Sequence, residues 1–255
     1  MPDITGQFGN SYNFCGNCYN IQRIPDSWID IDYSFVNQDT SWSYCRHSNF
    51  FHGCRSLRYI PEGFLKKIWS KYNGNFVHSD LFYYCVSLDE IVGLRGNDTT
   101  VTSNQFSNTF AHTYRLKRLV FDMDNGSPRV QNWSNQTIDL SNYVGYASDR
   151  SYILNYNSGI TADKEVSDYE SYEALMEDED WFTLSPEFSR YDYGSAWETI
   201  CSLPDTSAYL ASNGGTNTIK FKGSAGEYTP NGAINMMPEE EIAVATAKGW
   251  TVSFV

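Results

Sequence analysis

No stretch of this sequence approaches the roughly 20 consecutive apolar residues that a transmembrane helix needs, and a mean hydropathy of -0.48 argues against membrane residence. The opening, Met1-Pro-Asp-Ile-Thr-Gly6, has neither a basic segment nor an apolar one. No signal peptide is therefore expected, and the protein would work where it is made or leave by cell lysis. Basic residues are scarce: 18 Lys and Arg stand against 31 Asp and Glu, for a net charge of -13. That balance repels phosphate backbones and anionic membranes, so neither nucleic-acid binding nor membrane insertion is expected. Catalytic signatures are also missing. No Gly-x-Ser-x-Gly elbow, His-Glu-x-x-His or Gly-rich phosphate loop accompanies the four histidines, His47, His52, His78 and His112. An enzyme is not expected, and no catalytic residue or cofactor is assigned.

Aromatic residues, by contrast, make up 16% of the chain, with Tyr 19, Phe 15 and Trp 7. Tyr together with Ser, Gly and Asn is the composition of recognition surfaces, because it combines rigid contact area with adaptable hydrogen bonding. The same composition also suits an aromatic-rich core. With 255 residues, 41% of them apolar, the chain can bury a core as one large domain or two small ones. Its charge is uneven: nine carboxylates lie between Asp163 and Asp180, opposed only by Lys164. A solvated connecting segment is the plainer reading, with a cation site or docking patch as alternatives.

Self-comparison is the informative step. Phe14-Cys15-Gly-Asn-Cys18-Tyr-Asn-Ile21-Gln-Arg-Ile24-Pro25 recurs as Phe51-His-Gly-Cys54-Arg-Ser-Leu57-Arg-Tyr-Ile60-Pro61. It returns as Phe82-Tyr-Tyr-Cys85-Val-Ser-Leu88-Asp-Glu-Ile91, and more weakly as Phe110-Ala-His-Thr113-Tyr-Arg-Leu116-Lys-Arg-Leu119. The frame is aromatic-x-x-Cys-x-x-Leu-x-x-Ile, with Cys15 in the aromatic place of the first copy. Successive copies start 36, 31 and 28 residues apart, a drift that loops of variable length on one side of a stack would produce. Leu116-Lys-Arg-Leu119-Val-Phe121 extends the frame into L-x-x-L-x-L. The ends of that pattern reappear at Ile138 and Leu140, at Ile219 and Phe221, and at Val252 and Phe254. Side chains two apart share one face of a strand, and one such face is buried only when neighbours stack on it. Helices are expected between some strands. Pro238 to Lys248 has proline in its first turn, acids at the N-terminus, Lys248 in its last turn and Gly249 after it. Ser195 to Leu203, stopped by Pro204, and Tyr169 to Glu179 are further candidates.

Other chemistry is weaker. Cys15-x-x-Cys18 is half of a zinc pattern, with Cys45, Cys54 and Cys85 as conceivable partners. Since Cys18, Cys54 and Cys85 share one frame position, and Thr113 fills it in the fourth copy, buried reduced thiols are the expectation and no metal is assigned. Asp122-Met-Asp124-Asn-Gly126 faintly resembles a calcium loop, but its glycine arrives one position early and Trp133 stands where a glutamate is needed; a turn is expected. Acids beside Trp181 could suggest a glycosidase, whose two carboxylates need a set separation that sequence does not reveal.

On the frame residues, the N-terminal copies resemble BspA-type leucine-rich repeats. The C-terminal stretches Gly215 to Lys222 and Ala245 to Phe254 look like the endings of repeat proteins of Bacteroidales and their tailed (crAss-like) phages. The resemblance implies an irregular α/β leucine-rich-repeat solenoid of short parallel strands with intervening loops and helices. Residues 1–140 would be the repeat array, 141–194 an acidic insertion or joint, and 195–255 helix–strand repeats completing the solenoid. The expected core comprises Cys18, Ile21, Ile24, Cys54, Leu57, Ile60, Cys85, Leu88, Ile91, Leu116, Leu119, Phe121, Ile219, Phe221, Val252 and Phe254. The resemblance further implies adhesion, host-surface recognition or virion structure. Surface members usually carry a secretion signal and extra domains; their lack favours a virion component, in a fibre, tail or capsid-associated position. Expected partners are other virion subunits or further copies of the chain, with a host-surface receptor or glycan as another candidate. A bacterial surface adhesin is the alternative, and a surface-glycan hydrolase a remote one. The array starts near Phe14 and ends on a strand at Val255, so a partner is expected to cover at least one end.

Overall fold

The computed structural model of the chain describes residues 16–18, 20–30, 50–66, 80–85, 87–96, 98–113, 116–141, 191, 193–221 and 237–255. These residues form a mixed α/β structure. Its strands are β1 (Glu90–Leu94), β2 (Arg118–Phe121), β3 (Met123–Asp124), β4 (Ser127–Pro128), β5 (Thr137–Asp139), β6 (Asn217–Phe221) and β7 (Trp250–Phe254). The helices are α1 (Tyr193–Ser202), α2 (Ser207–Asn213) and α3 (Glu239–Ala247). β1 and β2 pair in parallel, as do β5, β6 and β7 in that order, whereas β3 and β4 form an antiparallel hairpin. Asn125 and Gly126, both with positive φ, turn this hairpin, the pairing that suits a two-residue connection between twisted strands.

Each copy of the aromatic-x-x-Cys-x-x-Leu-x-x-Ile frame closes the same tight turns. The amide at the Cys position donates to the carbonyl of the aromatic position: Cys54 to Phe51 at 3.0 Å, Cys85 to Phe82 at 3.0 Å and Thr113 to Phe110 at 3.2 Å. The amide at the Leu position then donates to the carbonyl at the Cys position, in Ile21–Cys18, Leu57–Cys54, Leu88–Cys85 and Leu116–Thr113. Main-chain bonds also join one copy to the next. Gly53 donates to Tyr83 O at 2.7 Å and Tyr84 to Ala111 O at 3.1 Å; on the strand side Arg58 donates to Gln22 O, Asp89 to Arg58 O and Lys117 to Asp89 O.

Side chains follow the same order. Phe51, Phe82 and Phe110 are buried and lie ring over ring, with centroids 5.7 and 6.4 Å apart. Cys54, Cys85, Leu57, Leu88, Leu116, Ile24, Ile91 and Leu119 are fully enclosed, and Ile60 and Phe121 nearly so. Each such side chain contributes roughly 1.5–3 kcal/mol when taken out of water. Thr113 can replace a cysteine because its hydroxyl donates to Phe110 O at 2.6 Å, while the Cys85 thiol donates to Phe51 O at 3.0 Å. Cys18 and Ile21 depart from the expected column: both are only partly buried and pack at its margin. The copy they belong to has a described neighbour on one side only.

The second sheet aligns Ile138, Ile219 and Val252 across β5, β6 and β7. Ile138, Leu140, Ile219 and Phe221 are fully buried. Val252 and Phe254, expected in the core, are half-buried, because β7 pairs with β6 alone among the described residues. A row of amide side chains steps across the turns before these strands. Gln136 Oε1 accepts from the Gln105 amide at 3.0 Å, and Asn217 Oδ1 accepts from the Gln136 amide at 2.9 Å.

The helix expected at Pro238 to Lys248 is α3, with Pro238 as its extended N-cap residue rather than part of its first turn, and Lys248 as its C-cap residue. Gly249, at φ 85°, then leads into β7. α1 begins two residues before the expected start at Ser195 and ends at Ser202. α2 was not expected; it buries no residue, so no apolar stripe marks it in the sequence. The candidate helix at Tyr169 to Glu179, the whole acidic segment, the acids beside Trp181, and Phe14, Cys15, Cys45, His47 and His78 lie outside the described residues.

Candidate recognition surface

The residue before the Cys position has a left-handed backbone in all four copies: Asn17 at φ 59°, Gly53 at 69°, Tyr84 at 60° and His112 at 64°. Only Gly and Asn adopt this conformation readily. An aromatic or imidazole side chain there costs roughly 1–2 kcal/mol, so the two turn bonds of each copy must hold it. The consequence is geometric. His52, Tyr83, Tyr84 and His112, at the second and third frame positions, gather into a half-exposed strip of rings. His52 stacks on Tyr83 at 5.0 Å, Tyr83 meets Tyr84 edge-on at 4.3 Å, and Tyr84 lies parallel to His112 at 4.3 Å. Burial lowers the His52 pKa against the opposing pull of Asp80, and His52 Nδ1 is enclosed without a hydrogen-bond partner. The strip therefore offers rigid apolar area with uncharged polar ring edges near neutral pH, a surface suited to binding rather than to transferring a group.

A second row runs along the outward side of the strands. Arg23 bridges to Tyr59 and lies 4.7 Å above its ring. Glu90 opposes Arg118 across β1 and β2 at 3.7 Å, and Arg118 makes a two-pronged pair with Glu198 of α1, closest at 2.7 Å. Like signs are never adjacent in this row, so its charges are satisfied internally.

The chain matches no protein-family model, no curated protein and no solved structure.

Chemistry is thus read from the residues alone. Asp122 and Asp124, set aside as calcium ligands in favour of a turn, sit at the β3–β4 hairpin among three cations. The nearly buried Asp122 carboxylate meets Lys66 at 3.2 Å, Arg95 at 3.6 Å and Arg129 at 3.8 Å. Arg129 also holds Asp124, and reaches Asp98 at 2.9 Å; Arg95 holds Asp98 as well. Three carboxylates face three cations, which leaves no net charge to attract an ion of either sign. Among the described residues no group of three or more His, Cys, Asp or Glu side chains is arranged to hold a metal ion. Cys18, Cys54, Cys85 and Cys201 are free thiols, and burial pushes the Cys54 thiol up to about 12, which suppresses the thiolate that metal binding and nucleophilic attack require.

Sequence reasoning did not single out the ring strip as a site. The signal was present, since the second and third frame positions read His-Gly, Tyr-Tyr and Ala-His, but nothing in the spacing says that these side chains meet. Arg95 and Arg129 left no comparable signal.

Proposed function

We propose that the chain is a non-enzymatic, irregular leucine-rich-repeat solenoid of the BspA-like kind, acting as a structural protein of a tailed phage virion in a fibre, tail or capsid-associated position. In this reading the strip of His52, Tyr83, Tyr84 and His112 is its contact with the host surface. The observation that supports the reading best is that four copies of one sequence frame share a left-handed residue at the same place and are bonded copy to copy. Such units bury their apolar faces against neighbours and present long surfaces for binding. Rigid aromatic area beside polar edges suits a receptor or glycan target. Conversion of that target is not part of the reading.

Two measurements test it. Peptides of this chain should be found by mass spectrometry in purified phage particles at a fixed ratio to the major subunits. Labelled protein should bind host cells, and a His52→Ala/Tyr83→Ala double variant that remains folded should bind them at least about tenfold more weakly, the loss of roughly 1.4 kcal/mol. Recovery in a bacterial outer-membrane fraction and never in particles would replace the virion reading with that of a surface adhesin. Release of new reducing ends from surface glycan would overturn the non-enzymatic part.

A further inference from the structure

We infer that α1 is a guard over the far edge of β2, and that it keeps this edge from pairing with a strand of a second copy of the chain. The inference is independent of what the ring strip binds.

The strand side of the frame repeats one main-chain bond from copy to copy. Gln22 O accepts from the Arg58 amide, Arg58 O from the Asp89 amide and Asp89 O from the Lys117 amide. At the next step Lys117 O accepts a hydroxyl instead, that of Ser195 in α1, at 2.6 Å. Two residues along, Leu119 O accepts from Thr199 Oγ1 at 2.7 Å, and two further the Phe121 amide donates to Ser202 Oγ at 3.1 Å. Ser195, Thr199 and Ser202 are spaced four and three apart, which places them on one helix face. Residues 117, 119 and 121 are spaced by two and so point to one side of the strand. A row of hydroxyls on a helix thus fills, bond for bond, the place of an incoming strand.

An uncovered edge of this kind is a template for pairing with another chain, and covering it with a helix is one of the ways folds prevent that. α1 is held by more than its hydroxyls. Ala196 and Ile200 are fully buried, and Glu198 grips Arg118 from outside. Lys248 Nζ donates to Ile200 O at 2.8 Å and to Cys201 O at 2.6 Å, satisfying carbonyls at the helix C-terminus. The chain also supplies the occupant the guard excludes. β2 carries Leu119 and Phe121 two apart, and β7 carries Val252 and Phe254 with the same spacing, half-exposed and with β6 as its one strand neighbour among the described residues. A second copy therefore presents a strand of matching apolar period.

The test is the Ser195→Ala/Thr199→Val/Ser202→Ala variant of the full chain, compared with the parent by light scattering across a wide concentration range. Amide hydrogen exchange is read at residues 117–121. With three bonds removed, each contributing about 1 kcal/mol net, α1 releases more readily. The dissociation constant for self-association should then fall roughly a hundredfold, with the amides of 117–121 protected again in the associated form. A folded variant that stays monomeric as its Phe121 amide loses protection would overturn the inference, as would association that leaves 117–121 unprotected. Should the triple variant fail to fold, Glu198→Gln decides. It keeps all three hydroxyls and loosens the outer grip, so association should strengthen measurably; an unchanged constant overturns the inference.

Discussion

Three glycines allow backbone conformation and steric room to be separated by the same substitution. Gly93 has φ +76° and nothing within 4 Å of where a Cβ would stand. It lies where the β1–β2 register shifts. Gly93→Ala therefore carries only the cost of a left-handed residue, about 1–2 kcal/mol, less the 0.4–1 kcal/mol, approximately, that a stiffer unfolded chain returns; the net is about 1 kcal/mol. Gly53 adds a contact to the same cost: at φ +69°, a Cβ would stand 2.4 Å from Asn17 Oδ1. Asn17 is exposed and its side-chain end can turn away, so Gly53→Ala should cost only slightly more, about 1–2 kcal/mol. Gly96 has an ordinary backbone, but a Cβ there would fall 1.9 Å from two atoms of the Trp133 ring. That ring is fully buried and meets Phe106 at 5.8 Å, so it cannot step aside. Gly96→Ala should cost about 3 kcal/mol, the upper end for overpacking. Urea unfolding of the three variants, with unchanged slopes, should give the order Gly96 above Gly53 above Gly93. A Gly96 variant no less stable than the Gly93 variant would show that Trp133 does not pack beneath Gly96, and would refute the account of this core.

Leu88→Ala, at a fully buried position, should cost roughly 2–5 kcal/mol, read by the same unfolding assay; a loss well under 1 kcal/mol, approximately, would mean that the frame leucines do not form the core. The thiols of Cys54 and Cys85 should react slowly with a thiol reagent in the native protein and quickly once it unfolds, and stoichiometric bound zinc would contradict this. Because burial raises the Cys54 pKa from 9.0 to about 12, its contribution to stability is complete below pH 9 and is lost as pH rises from there towards 12. Cys54→Ala should flatten that part of an alkaline unfolding curve. Asp122→Ala leaves Arg95 and Arg129 facing one another without the buried carboxylate and should cost about 3–5 kcal/mol, whereas Glu198→Ala, at an exposed pair, should cost about 1 kcal/mol or less; equal losses in thermal or urea unfolding would refute the ranking.

Legibility in the sequence tracked how locally each feature is encoded. Strands β2, β5, β6 and β7 lie where residues two apart are apolar, because strand periodicity is a property of neighbouring residues. α3 was visible through its acids and Gly249, whereas α2, which buries nothing, was not. The expected depth of Cys18, Ile21, Val252 and Phe254 was too great, since a frame position says what a side chain faces and not how many neighbours enclose it. The frame itself, aromatic, Cys, Leu and Ile at steps of three, was fully readable because each copy closes its own turns.

What that frame could not convey is which copies and segments meet. The His52–Tyr83–Tyr84–His112 strip brings together residues from three copies, and the cage around Asp122 draws on residues 66 to 129. The contact of α1 with β2 joins positions about 80 residues apart, through hydroxyls that in sequence look like any surface Ser or Thr. Local spacing settles turns and strands because their hydrogen bonds close within a few residues; sites and covered edges arise from packing between distant segments, where burial and hydrogen-bond satisfaction act on the chain as a whole.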